Sequence, residues 1–245
     1  MIRTLAFCSV ALLCCSWWGA AVLPRSSGPV VVALGDSVPA GTACGCTPFP
    51  ALYARLLSAD GRATDLARSG ATSRDVLSQV DTPVTVSALR SASAVLLMIG
   101  ANDLAAVFAG DGGTKAYADA AAQVEANVRG TLNGIRQIVG PSVTVDVLGY
   151  WNVVEDGDVA RADYDDATTA EAARITDQTN DALRTAASGL ARYLPTAAVF
   201  KGPTGSGDPT GLLAADGDHP NARGHAAIAA LIYAAGRAGT RTAAR

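Results

Sequence analysis

Residues Val30–Gly41 read Val-Val-Val-Ala-Leu-Gly-Asp-Ser-Val-Pro-Ala-Gly. Three valines, an alanine and a leucine in a row carry no polar alternation, which predicts a strand buried on both faces of a parallel sheet. Gly35 allows a tight turn at its end, and Ser37 then stands near the start of the next segment. In α/β proteins ligands bind beyond the carboxyl ends of the strands, so a polar side chain here is well placed for chemistry. Taken alone, a serine after a strand is more often a cap or a turn residue. The stretch is not a G-x-S-x-G turn, because Pro39 stands where the closing glycine belongs.

The same strand logic repeats outward. Ala94–Ile99, Val143–Gly149 and Thr196–Phe200 are short apolar runs, and Arg62–Ala67 is a weaker one. Between them Pro50–Ala59, Lys115–Val139 and Asp165–Leu190 are Ala-rich with helical spacing, and a last helix is expected from Pro220 to about Arg237. Strand alternating with helix predicts an α/β fold: three α/β/α layers around a mainly parallel five-stranded sheet. No internal repeat is evident.

Four short blocks occupy the ends of these elements. Gly35-Asp36-Ser37 is followed by Gly70 within Ala-Arg-Ser-Gly-Ala-Thr-Ser, by Gly100-Ala101-Asn102-Asp103 after the third strand, and by Asp216-Gly217-Asp218-His219-Pro220 before the last helix. In this order and context the chain resembles the SGNH (GDSL-type) hydrolases, over nearly all of the sequence beyond the leader. The resemblance implies a flavodoxin-like SGNH hydrolase fold and a serine esterase or lipase. It also implies an oxyanion hole from the backbone N–H groups of Ser37 and Gly70 and the side-chain amide of Asn102.

The residue chemistry points the same way. A serine hydroxyl is a poor nucleophile until an imidazole removes its proton, and the chain has two histidines. His219 is the expected base, with Asp216 on the same turn orienting its other ring nitrogen. Asp218 is an alternative orienter. His225 lies inside the last helix and is expected to be packed or solvated. Asp36 and Asp103 are read as structural, bonding loop amides. Tyr150, Trp151 and Asn152 follow the fourth strand and are candidates to wall the substrate pocket, core packing being the equal alternative. The Gly-rich stretch Lys201–Gly211 lacks phosphate-loop spacing and is read as a rim over the site or a plain surface loop.

Composition sets the remaining bounds. The chain has 245 residues, 49% of them hydrophobic, and a net charge of −3, which suits one domain and excludes the basic stripe of a nucleic-acid partner. Arg3, the apolar run Leu5–Trp18 and the small residues Gly19, Ala20 and Ala21 predict a secretory signal peptide, residues 1–21. A retained membrane anchor is the alternative, since apolar character continues through Leu23. Residues 22–29 then form a linker, 30–238 the hydrolase domain and 239–245 a frayed tail. Cys8, Cys14 and Cys15 fall in the leader, leaving Cys44 and Cys46, separated by Gly45. In an oxidising compartment they are expected to pair as a disulfide, two reduced thiols being the alternative. The cysteines and histidines lack zinc-ligand spacing, and no metal or other cofactor is expected. The expected partner is a small-molecule, lipid or acylated-glycan ester, met by a secreted monomer whose only membrane contact is an uncleaved leader. Acyl transfer to a cell-wall or glycan hydroxyl, and a non-catalytic binding module, are the rival functions.

Overall fold

The first strand, β1 (Val30–Gly35), is buried from Val31 onward and pairs in parallel with a strand on each side. A computed structural model describes residues 28–243 except 111, with side chains as far as Ala238. The expected leader, most of the linker and residues 244–245 lie outside the described residues. No helix among the described residues is long and apolar enough to cross a membrane.

After β1 come α1 (Ser37–Ala40), α2 (Phe49–Leu57), β2 (Arg62–Asp65), α3 (Ser73–Gln79), α4 (Pro83–Arg90) and β3 (Ala94–Met98). They are followed by α5 (Ala101–Ala109), α6 (Thr114–Val139), β4 (Thr144–Leu148), α7 (Gly157–Asp163) and α8 (Asp166–Ala187). The chain ends with β5 (Arg192–Leu194), α9 (Ala197–Lys201), a 3₁₀ turn at Thr210–Leu212 and α10 (Ala222–Ala243). The five strands form one parallel sheet in the order β2-β1-β3-β4-β5. Strand order reverses between β1 and β3, and the crevice above such a switch point is where doubly wound folds bind ligands. Helices α2 and α10 pack on one another, while α3, α5, α6 and α8 make a second contacting group. The three-layer α/β reading therefore holds. Strand β3 is buried throughout, so its apolar run needs no alternation. The charged residue buried within the sheet is Asp146 on β4, which has no exposed surface and takes two bonds, 2.8 and 2.9 Å, from the Arg192 guanidinium on β5.

Two expected elements differ. Thr196–Phe200 is not a strand. Strand β5 ends at Leu194, before Pro195, which has no N–H for the ladder. The Thr196 hydroxyl then bonds the Gly149 carbonyl, and the apolar residues that follow wind into α9, burying Phe200 against Trp151. Pro220 does not open the last helix. It pairs with Leu213 in a short antiparallel bridge, and Asn221 caps α10 by accepting the amides of Arg223 and Gly224 at 2.9 and 3.1 Å. Helix α10 continues past the expected Arg237 to Ala243. The short helices α3 and α4 lack a long apolar periodicity, and each opens on a local signal: the Thr72–Asp75 capping box for α3 and Thr82 with Pro83 for α4.

Candidate active site

Ser37 is held by constraints on the two residues before it. Gly35 has φ +150°, and a Cβ there would lie 2.0 Å from the Met98 carbonyl oxygen on β3. The chain turns so close to its neighbour that only glycine fits. The Asp36 amide donates to that same Met98 carbonyl at 3.1 Å. The Asp36 carboxyl caps α1, accepting the Val38 amide at 3.1 Å on one oxygen and the Tyr150 hydroxyl on the other. Asp36 is fully buried. Burial pushes its carboxyl up to about 7, against the lowering pull of Tyr150 and Val38. Ser37 thus begins α1 with its own amide claimed by no hydrogen bond among the described residues. A free amide at a helix start is a ready donor to an anion.

Gly70 lies on the loop after β2, exposed, with φ +76° and open space where a Cβ would point. Its amide is likewise unclaimed among the described residues. The loop is tied to the Ser37 segment by the Arg68 amide on the Gly35 carbonyl, 3.0 Å, and by a 2.5 Å hydroxyl contact between Thr42 and Ser69. From the start of α5, just after β3, Asn102 donates one side-chain N–H to the Ala71 carbonyl at 2.8 Å. An amide nitrogen carries two hydrogens, so the other is left for a ligand. Its neighbour Asp103 accepts the Ser73 amide and hydroxyl at 2.9 and 2.7 Å, and Asn127 from α6 donates to the Ser73 hydroxyl at 2.9 Å. Asp103 therefore fastens the Gly70 loop instead of reaching a substrate.

His219 sits in a turn built by Asp216. One Asp216 oxygen accepts the amides of Asp218 and His219, each at 3.1 Å, and the other lies 2.8 Å from His219 Nδ1. Partial burial pushes the Asp216 carboxyl up, but the His219 amide and ring and the Asp218 amide outweigh it and hold it below its ordinary value. Asp218 stands 3.7 Å from the same ring nitrogen, too far for a hydrogen bond, so Asp216 is the bonded carboxylate. The turn is fixed to the β4–α7 connection by the Asp156 amide on the Gly217 carbonyl, 2.7 Å. Gly217 has φ +68°, and a Cβ there would come within 2.5 Å of Val159. The charges of Asp218 and His219 add small opposite effects to the ionisation of Asp36, the residue before Ser37.

The aromatic pair does not wall a pocket. Tyr150 and Trp151 are 1% and 2% exposed. Tyr150 spends its hydroxyl on Asp36 and its backbone on Asn180, while Trp151 stacks on Phe200 with ring centroids 3.8 Å apart. Asn152 is buried too, its oxygen accepting from the Val153 amide and the Thr176 hydroxyl. All three are buried in the core. Sequence reasoning missed the Tyr150–Asp36 bond, Ser73 and Asn127. Asp36 and Tyr150 are 114 residues apart, and no spacing joins them. His225 is packed, fully buried in α10 with Phe49 stacked on its ring. The Lys201–Gly211 loop leans on α7, where the Thr210 hydroxyl accepts the Asp158 amide at 3.0 Å.

Compared with known proteins, residues 33–227 match the profile of the GDSL-like lipase/acylhydrolase family. No curated protein sequence matches the chain. Among solved structures it is similar to a lipase, Lip_vut3, from a goat rumen metagenome, with a TM-score of 0.66 at 21% identity over 85% of this chain and 97% of that one. It is also similar to phospholipase A1 from Streptomyces albidoflavus NA297, with a TM-score of 0.63 at 22% identity over 85% and 99%. A third likeness is to Axe2, an acetylxylan esterase from Geobacillus stearothermophilus, with a TM-score of 0.61 at 22% identity over 84% and 93%.

Proposed function

The chain belongs to the GDSL-like lipase/acylhydrolase family and is a carboxylic ester hydrolase, and we propose that it works, after export, through an acyl-serine intermediate on Ser37. What supports this reading is that four groups, each held by its own bonds, lie on the loops that follow the parallel strands and on the turn before α10. These are the unclaimed amides of Ser37 and Gly70, the spare N–H of Asn102 and the Asp216-bonded His219.

The steps follow from the bonding. With Nδ1–H donated to Asp216, His219 keeps the lone pair of Nε2 for a proton. It takes the Ser37 proton as Oγ attacks the ester carbonyl, and Asp216 stabilises the imidazolium that forms. The oxyanion is met by Ser37 N–H, Gly70 N–H and Asn102 Nδ2–H, donors worth about 3 kcal/mol each. The imidazolium returns its proton to the leaving alcohol. Water then attacks the acyl-enzyme by the same route, and Ser37 is regenerated.

Substrate class remains at the level of an accessible carboxylic ester, with lipid and acylated-glycan esters the two candidates that the similar structures' names suggest. Export rests on the leader at residues 1–21. The deciding experiment treats the purified protein with a fluorophosphonate probe and maps the adduct, then assays aryl esters of increasing acyl length alongside acetylated xylan and a phospholipid. Labelling at Ser37 with turnover on at least one ester is the expected result. Turnover with no adduct on Ser37 would overturn the mechanism.

A further inference from the structure

Cys44 and Cys46 lie in the connection between α1 and α2, and the fold brings His225 of α10 to them. The two sulfurs and one imidazole nitrogen stand within 4.8 Å of one another. His225 is fully buried. Its Nδ1 accepts the amide of Phe49, the first residue of α2, at 3.2 Å, and its Nε2 is buried without a hydrogen-bond partner. Burial, with His219 adding to it, pushes this imidazole down to about 4, so the ring is neutral at ordinary pH. A neutral ring whose Nδ1 accepts carries its proton on Nε2. A buried N–H with no hydrogen-bond partner therefore belongs to the ring that has one nitrogen within 4.8 Å of the two sulfurs.

Two thiolates and an imidazole are also the donors of a soft-metal site. The hydrogen bonding speaks against that use. A metal-bound imidazole donates its other N–H to an acceptor, whereas here Nδ1 is itself an acceptor for the start of α2. The ring is arranged as a donor, not as a ligand.

The backbone of this loop is unusual as well. Ala43 has φ +57° and is the one non-glycine residue in the left-handed region among the described residues, between Gly41 at +76° and Gly45 at +56°. Side chains with a Cβ are strained there. Ala43 and Gly45 are exposed and both cysteines are half-buried, so a small thiol can reach the sulfurs. A bridge that spans one residue restricts the unfolded chain little, and accessible bridges without that support are the labile ones. The Cα atoms are 5.0 Å apart, within bridging distance. Once reduced, the Cys46 thiol has the Thr47 carbonyl 3.6 Å away as an acceptor.

We propose that Cys44 and Cys46 are a reversible thiol–disulfide pair that exchanges with small monothiols, with His225 Nε2–H as the donor that stabilises the thiolate released when the bridge opens. In the exchange a thiolate attacks one sulfur of the bridge. The S–S bond breaks as a mixed disulfide forms, and the other cysteine leaves as a thiolate facing the imidazole N–H. A second monothiolate then attacks the sulfur of the first, the protein cysteine leaves as a thiolate, and the two monothiols depart as their disulfide. Two electrons have then passed to the pair, and the two monothiols have supplied the two protons.

The test is a titration of the folded, full-length protein in buffers of reduced and oxidised glutathione. Acid quenching, alkylation and intact-mass measurement count the thiols, so no hydrolytic activity is read and failure of the acyl-serine reading would leave the outcome unaffected. The expected result is complete and reversible passage between a two-thiol and a no-thiol form. His225→Leu should shift the midpoint about tenfold toward the disulfide, while His225→Gln, which keeps an acceptor for Phe49 and an N–H for sulfur, should stay within about threefold. A pair that stays closed or open at every ratio, or equal shifts in the two variants, would overturn the proposal. So would one equivalent of zinc retained by the reduced protein through gel filtration, which would make the cluster a metal site. If His225→Leu does not fold, the wild-type titration and the zinc measurement still decide.

Discussion

Two carboxylates flank the proposed nucleophile and base, and their surroundings are opposite. Asp36 lies under Ser37 with no exposed surface, bonded to a phenol and one amide, and burial pushes it up to about 7. Asp216 lies in a partly open turn, bonded to two amides and an imidazole that together hold it below its ordinary value. The proposed nucleophile is thus positioned by burial, through contacts that span the sheet, and the proposed base by a local turn whose carboxylate is held below its ordinary value. Changes on the two sides should accordingly fail in different ways: near Asp36 through stability, near Asp216 through the rate.

The largest effect belongs to the residue that both sides serve. Ser37→Ala should lower kcat on an aryl ester by about four orders of magnitude or more with an unchanged melting curve; a loss under tenfold would dissolve the comparison with the site itself. Next, Asp216→Asn should cost about two to four orders of magnitude in kcat, while Asp218→Asn, whose carboxylate is not bonded to the ring, should stay within about tenfold. Similar losses in the two variants would mean that the turn, not one carboxylate, orients His219. Asn102→Ala should lower kcat by about two to three orders of magnitude with KM little changed. A rise in KM alone would make Asn102 a ground-state contact.

The Asp36 side should answer in stability. Tyr150→Phe removes the phenol from a buried carboxyl and should cost about 1–3 kcal/mol in denaturant unfolding, with kcat within about tenfold of wild type. The smallest effect is a pH slope. Between pH about 4 and about 7 the folded protein keeps a proton on Asp36 that the unfolded chain, at its ordinary 3.8, has released. Its contribution to stability is full below the unfolded value and is lost as pH rises through about 7. The melting temperature of the wild type minus that of Asp36→Asn should fall across that window and flatten above it. A difference that does not vary with pH would show that Asp36 is ionised in the fold and that the contrast with Asp216 is wrong.

The parts of this arrangement legible in the sequence are those governed by neighbours along the chain. The valines of β1 announce a buried strand, and Asp216 reaches His219 from three residues away. What could not be read is set by contacts between distant segments. The Ala-Ala-Val-Phe run of α9 is equally apolar for a strand or a buried helix, and Pro195 decides it only when the ladder's need for an N–H is weighed. For Tyr150 and Trp151, which follow a strand, the sequence leaves pocket wall and core packing as equal readings. Their burial depends on Asp36, Asn180 and Phe200, which no local pattern supplies. His225 shows the same limit: nothing in the helix that carries it reveals Phe49 or the two cysteines.

The direction of β1 has a practical side. The chain enters the sheet at Val30 and reaches Ser37 at the far end of the strand, about 20 Å away at the usual rise per residue. A bead, chip or scaffold coupled ahead of Gly28 therefore grips the molecule by the pole opposite its crevice. Immobilised in that orientation, the enzyme presents its open side to the flow, and bulky or surface-bound esters can be offered to it without the support standing in the way.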